Sequence, residues 1–230
     1  MSEAGVYFGD KHSFEDFNLM LKTIYISSPE PKTNNVDIPG GDGSIDLTES
    51  LTGTVKYKNR QMVITFIDPR IGFETSTQSV ISNYLHGQKM RIALDDDLDH
   101  YYMGRCEVEC YSNNSRDIVV TCDCEPYKYD KYSSTEEWLW DPFNFETGLI
   151  REYGDMVVEG ILEVDIVGSR KPTVPIIIAD TPMTVEFKGE VFELEVGENK
   201  ILTMVLDDGI NLMKFNGNGI VSVEFKGGSL

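Results

Sequence analysis

A chain of 230 residues with 40% hydrophobic content can bury one large core or two small ones. Its formal net charge of −19 argues against a nucleic-acid-binding surface, which needs clustered Lys and Arg, and against an anionic membrane as partner. No run reaches the roughly 18 apolar residues of a membrane span. Met1-Ser2-Glu3 carries neither a basic nor an apolar leader segment, and four cysteines are too few for a disulfide scaffold, so a soluble, unexported protein made in a thiol-reducing cytoplasm is expected.

In chain order, Val6-Tyr-Phe8 reads as a first short strand and Asn18 to Ser27 as a second. In the second, Leu19, Leu21 and Tyr25 oppose Met20, Ile24 and Ile26, so both faces are apolar and one is expected to meet another layer or a neighbouring subunit. Lys32 to Glu49 follows. Pro39, Gly40, Gly41 and Gly43 break any regular element there, while Val36-Asp-Ile-Pro39 and Ile45-Asp-Leu-Thr48 alternate as short β-segments. This predicts a hairpin arm with an irregular tip. Thr54 to Ile67 is the next β-run, closed by Asp68-Pro69.

Thr75-Ser-Thr-Gln78 has the pattern of a capping box, and Val80, Ile81, Tyr84 and Leu85 share one helical face before Gly87, which predicts a helix packed across a sheet. Met90, Ile92 and Leu94 alternate as a strand. Asp95 to Asp99 is a predicted turn into a strand from Tyr101 to Tyr111, and Ser112 to Ser115 returns the chain through Ile118, Val120, Cys122 and Cys124. A hairpin with its apolar faces on one side puts Cys106 opposite Cys122.

From Glu125 to Gly148 the composition turns aromatic, as expected of a connection packed on one of the domains it joins. Beyond Tyr153, seven short strands are predicted near Met156–Val167, Val174–Ala179, Met183–Phe187, Val191–Val196, Ile201–Leu206, Asn211–Phe215 and Ile220–Phe225. Lys188-Gly189, Asp208-Gly209 and Asn216-Gly217 serve as turns, giving a small sandwich or barrel.

Chemistry-bearing residues are few. Asp95, Asp97 and Asp99 match the first oxygen ligands of a calcium loop, but His100 replaces its glycine and Cys106 its closing glutamate. Cys106, Cys110, Cys122 and Cys124 lie on extended strands, where residues four apart are about 13 Å distant, and so read as buried thiols instead of a zinc knuckle. His12, Ser13 and Asp16 supply the residue types of a triad, but too close in sequence to converge as one. Glu107, Glu109, Glu163 and Asp165 read as solvated strand faces, which leaves a glycosidase as the weakest reading. No catalytic residue, metal ligand or cofactor site is assigned, and the chain is read as a non-enzyme.

Several stretches carry a resemblance: Gly9-Asp-Lys-His-Ser13 before Asp16-Phe17, Ser28-Pro29-Glu30-Pro31-Lys32 with the arm, Trp140-Asp-Pro-Phe-Asn-Phe-Glu146, Gly168-Ser-Arg-Lys-Pro172, and the ending Asp208-Gly209-Ile-Asn211 with Phe225 to Leu230. Together they resemble the distal tail protein (Dit) family of long non-contractile-tailed phages, over nearly the whole chain. The resemblance implies a mainly β protein: an N-terminal β-sandwich or split barrel with one helix and an extended hairpin arm, plus a C-terminal galectin-like β-sandwich. It implies a ring-forming tail domain at 1–130, an aromatic-rich connection at 131–152 and the galectin-like domain at 153–230. It further implies a structural virion or prophage component assembled in the bacterial host cytoplasm, a baseplate hub forming a homo-hexameric ring. Its expected partners are the tail tube protein, the tape-measure protein and a tail-tip or receptor-binding protein.

The arm residues Val36, Asp37, Ile38, Pro39, Ile45 and Leu47 are the candidate subunit contacts. The alternative reading is a carbohydrate-binding module for host cell-wall glycans. The region after Tyr153 holds no His or Trp for a lectin groove, and Phe187, Phe192, Phe215 and Phe225 are expected to fill the core.

Overall fold

Alternating apolar and polar residues become strands almost throughout this chain, because each alternation offers one face to a core and one to water. The computed structural model describes residues 4–50, 52–69, 75–109, 117–136 and 152–230, in two compact units, Met1–Lys128 and Tyr129–Leu230. The fold is mainly β, with one helix among the described residues. Tyr111, the turn at Ser112–Ser115, Cys110 and the stretch Trp140–Glu146 lie outside the described residues, as do the capping side chains at Thr75–Gln78.

The first unit comprises β1 (Val6–Phe8), β2 (Lys11–His12), β3 (Met20–Ile26), β4 (Asn35–Asp37), β5 (Ser44–Asp46), β6 (Arg60–Ile67), α1 (Thr75–Leu85), β7 (Lys89–Leu94), β8 (Asp97–Val108) and β9 (Asp117–Cys124). Seven strands form an antiparallel sheet in the order β2-β1-β7-β8-β9-β6-β3. Four strand spacings separate β1 from β6, about 19 Å in a flat sheet. Yet the rings of Phe8 and Phe66 lie 6.1 Å apart, edge to face. The sheet therefore curls strongly about its core, in the manner of an open barrel. Ile81 and Leu85 of α1 are buried in the same core, whereas Val80, expected on that face, is exposed.

The second unit comprises β11 (Met156–Gly168), β12 (Ile176–Ala179), β13 (Met183–Phe187), β14 (Glu190–Leu194), β15 (Gly197–Asn199), β16 (Gly209–Glu224) and β17 (Gly228–Ser229), with β10 (Lys128–Asp130) at the boundary of the two units. The order is β14-β13-β16-β12-β15, and β11 runs antiparallel along β16 from Met156↔Val221 to Gly168↔Gly209. Lys188 and Gly189, both at positive φ, make the tight turn between β13 and β14.

Several expected boundaries move. The second predicted strand starts at Met20 instead of Asn18, with a register shift between Leu21 and Thr23. That shift reverses the alternation, so Leu21 and Ile26 both pack on the core while Tyr25 faces outward; Ile24, opposite buried Ile64, lies on the core side but at the exposed margin. Residues 54–59 are not a strand apart from an isolated bridge at Tyr57, and β8 starts at Asp97, within the predicted turn. Residues 201–206 bury Met204 and Leu206 but form only the bridge from Leu206 to Thr173; their apolar pattern reports burial without a ladder.

Asn216-Gly217 is no turn, because β16 runs through it as one strand of 16 residues. The glycines there serve close approach. A Cβ on Gly219 would lie 2.2 Å from Thr181 Oγ1, and one on Gly217 2.6 Å from Met183 Cβ.

Candidate interaction surfaces

The predicted arm is present as a separate two-stranded hairpin between β3 and β6. β4 pairs with β5 through Asn35↔Asp46, Val36↔Ile45 and Asp37↔Ser44. Leu47 N–H donates to the Asn34 carbonyl (2.8 Å), and Thr48 N–H donates to Asp46 Oδ1 (2.9 Å). At the base, Lys32 N–H donates to Lys56 O (2.7 Å) and Lys58 N–H to Glu30 O (2.8 Å), so the arm continues the β3–β6 pairing. Its apolar side chains have no core beneath them: Val36 is 47% exposed, Ile38 43%, Ile45 52% and Leu47 37%. Asp37 and Pro39 are exposed as well. Beside the arm, β3 is an edge strand of the sheet, and Tyr25 on it is 64% exposed. Arm and edge strand thus display aliphatic and aromatic surface within one unit.

The polar residues are engaged in structural roles. His12 is buried, and its Nδ1 accepts from Glu15 N–H (3.3 Å), so Nε2 carries the proton and donates to Asp95 Oδ2 (3.2 Å). Asp95 Oδ2 also accepts from Gly5 N–H (2.7 Å), Ser13 Oγ accepts from Val6 N–H, and Asp16 Oδ2 accepts from His12 N–H. A Ser–His–Asp triad needs one imidazole nitrogen free to face the serine. Here both are occupied, one by a carboxylate and one by a backbone amide, and Asp16 holds a turn.

Asp97 accepts from Lys128 Nζ (2.8 Å) and sits 2.5 Å from His100 Nδ1. Burial pushes its carboxyl pKa up, but those two hydrogen bonds and the attraction of both partners outweigh burial and hold it below the usual carboxylate value. Asp95 and Asp97 therefore face different partners instead of one cation. Among the described residues no group of His, Cys, Asp and Glu converges in the manner of a metal site.

Cys106 lies directly opposite Cys122, as the hairpin register predicts, with the sulfurs 3.1 Å apart and both buried. The hydrogen bond to Cys106, followed by burial, pushes the Cys122 thiol pKa up; burial foremost pushes that of Cys124 up to about 12. These are core thiols, far from the thiolate state needed for nucleophilic or metal chemistry. In the second unit Phe187, Phe215 and Phe225 are buried and Phe192 packs on the same core, while Glu163 and Asp165 are exposed, as is Glu107 in the first unit.

One buried polar contact was not foreseen. Ser134 Oγ donates to Val223 O (2.8 Å) and accepts from Phe225 N–H (2.9 Å), and its own N–H donates to Phe225 O (3.0 Å). Tyr153 completes the corner, its hydroxyl accepting from Val167 N–H (2.8 Å) and donating to Asp165 O (3.2 Å). One serine between Ser133 and Thr135 gives no signal in sequence for such a role.

With this geometry in view, the chain is similar in fold to the crystal structure of the Dit protein (gp 19.1) of phage SPP1, described as a paradigm of the hub adsorption apparatus in phages infecting Gram-positive hosts. The TM-score is 0.60 at 12% sequence identity, over 99% of this chain and 99% of that one. No family model matches the sequence, and no curated protein matches it. At that identity the likeness establishes the fold, across both units.

Proposed function

We propose that this chain is a structural virion protein, the distal tail hub that links a phage tail tube to the host-adhesion apparatus. The observation that carries the reading is the end-to-end likeness to the SPP1 Dit fold, which covers 99% of both chains. Fold alone does not give function. The reading gains independent support from the arm, whose aliphatic side chains have no core beneath them, and from the exposed Tyr25 on β3. Burial of one such aliphatic is worth about 1.5 to 3 kcal/mol, so a few of them seated on a neighbour suffice to hold a subunit contact. In this reading Val36, Asp37, Ile38, Pro39, Ile45 and Leu47 contact the next copy in a homo-hexameric ring. The tail tube, tape-measure and tail-tip or receptor-binding proteins are the further partners, and residues 153–230 of the second unit are the galectin-like domain.

The test is the mass of the full chain in solution by light scattering, alone and with the arm residues Val36 to Leu47 deleted. A hub forms an oligomer that the deletion weakens while the protein stays soluble. A wild-type chain that is monomeric at every concentration, or a deletion that leaves the mass unchanged, overturns the assignment of the arm. A glycan array separates the carbohydrate-binding alternative, since only that alternative requires a saturable sugar signal.

A further inference from the structure

We infer that the outer edge of β11 is a docking strand for a basic, extended segment of a different protein, which adds to the sheet of the second unit. Three features of β11 point there together. Among the described residues this strand of 13 residues pairs with β16 alone; on its other edge the Tyr153 hydroxyl engages Val167 N–H and Asp165 O near one end, and no second strand pairs with the rest. Sheet edges are ordinarily blunted with charges, above all Lys, or with Pro; Met156–Gly168 contains no Lys or Pro, and its charges are all carboxylates, which repel acidic strands but not basic ones. Its outward side chains are aliphatic in places where solvent would favour polar ones: Val157 is 60% and Ile161 61% exposed, continued across the ladder by Ile220 and, farther along, Leu212 and Ile210.

Charge selects the occupant. Between and beyond the aliphatics on the same face stand Glu159, Glu163 and Asp165, all exposed. The one base opposite them on β16 is Lys214, which is paired with Glu163 at 3.2 Å. A strand added beside β11 places its residues directly across from these, where opposite charges stabilise and like charges destabilise the pairing. The fitting strand therefore carries aliphatic residues opposite Val157 and Ile161 and Lys or Arg opposite Glu159, Glu163 and Asp165. A second copy is disfavoured, because antiparallel pairing of β11 with itself about Leu162 sets Glu159 against Asp165 and Glu163 against Ile161, on a chain already at −19. The inference does not rest on the hub reading, and arm variants leave it untouched.

The experiment uses the full chain and the nine-residue peptide Lys-Thr-Lys-Thr-Val-Thr-Lys-Thr-Val, with one control peptide bearing Glu for Lys and another bearing Pro at two of the Thr positions. Calorimetry gives the affinity, and amide exchange of β11 gives the place. The expected result is binding of the first peptide with slowed exchange along β11, and at least tenfold weaker binding of both controls. Glu159→Lys with Glu163→Lys should weaken it at least tenfold too. All these side chains are exposed, so circular dichroism unchanged from wild type is expected of the variant, and Ile161→Lys provides a second one. Absence of binding, equal binding of the proline control, or an affinity the variants do not change overturns the inference. So does a dimer of the full chain that Ile161→Lys dissolves, since a second copy would then be the occupant.

Discussion

Asp97 illustrates how a single carboxylate here is tied into the fold by its partners. Its pKa is depressed in the folded protein, so its stabilisation is fully present above the unfolded value of about 3.9 and is lost as the pH falls toward and through the lower folded value. Wild-type stability should therefore decline on acidification below about pH 4, and Asp97→Asn should be less stable at neutral pH with a flatter acid limb; chemical denaturation at a series of pH values measures both. An Asp97→Asn variant as acid-sensitive as the wild type would show the Lys128 and His100 contacts to be unimportant. The cysteines give a second test. With Cys122 and Cys124 buried and their thiol pKa values raised, protein prepared without oxidant should show four free thiols on denaturation, while the described buried thiols react only slowly in the native state at pH 8. Fewer than four would mean that the facing pair at Cys106 and Cys122 is oxidised as made.

Among the elements, the serine-bearing segment at the start of the second unit and the long strand β16 depend on each other. Ser134 satisfies two backbone groups of the chain at Val223 and Phe225. Ser134→Ala leaves buried polar groups without that partner, for which a loss of about 1 to 3 kcal/mol is expected. Thermal or denaturant unfolding of the second unit reads this directly. The same contacts decide where a folded fragment can begin. A fragment of residues 129–230 should fold alone and stay monomeric, whereas one starting at Tyr153 lacks Ser134 and should be measurably less stable. Equal stability of the two would show that the segment from 129 to 136 adds nothing.

For the whole molecule, the charge of −19 per chain makes assembly and electrostatics oppose one another. In the proposed ring, copies repel one another, and apolar burial at arm and edge strand must exceed that repulsion. Added salt shortens the Debye length to about 8 Å near physiological strength, so oligomerisation should strengthen from low to moderate salt. A hub that passes DNA also needs a channel wall that does not hold phosphates, and with 39 acidic against 20 basic residues an acidic or neutral wall is expected. Binding to duplex DNA should be undetectable across the same salt range by anisotropy. An oligomer that salt dissociates, or DNA held tightly at moderate salt, would contradict the proposal at this scale.

What the sequence by itself determined is what depends on local period and local chemistry. Alternation placed β1, β7, β13 and the facing of Cys106 on Cys122, helical period placed α1, and the Pro-Gly-Gly break placed the arm, because period and backbone freedom are properties of neighbouring residues. Tertiary structure decided what depends on distant partners. The register shift that turns Tyr25 outward, the absence of a ladder at 201–206 and the unbroken course of β16 through Gly217 and Gly219 follow from which segment lies alongside. The same holds for Asp95, which joins His12 across 83 positions, and for Ser134, which reaches Phe225 across 91. Neither contact has a local signature, since a side chain's hydrogen-bond partner is set by where the sheet curls and not by its neighbours in the chain.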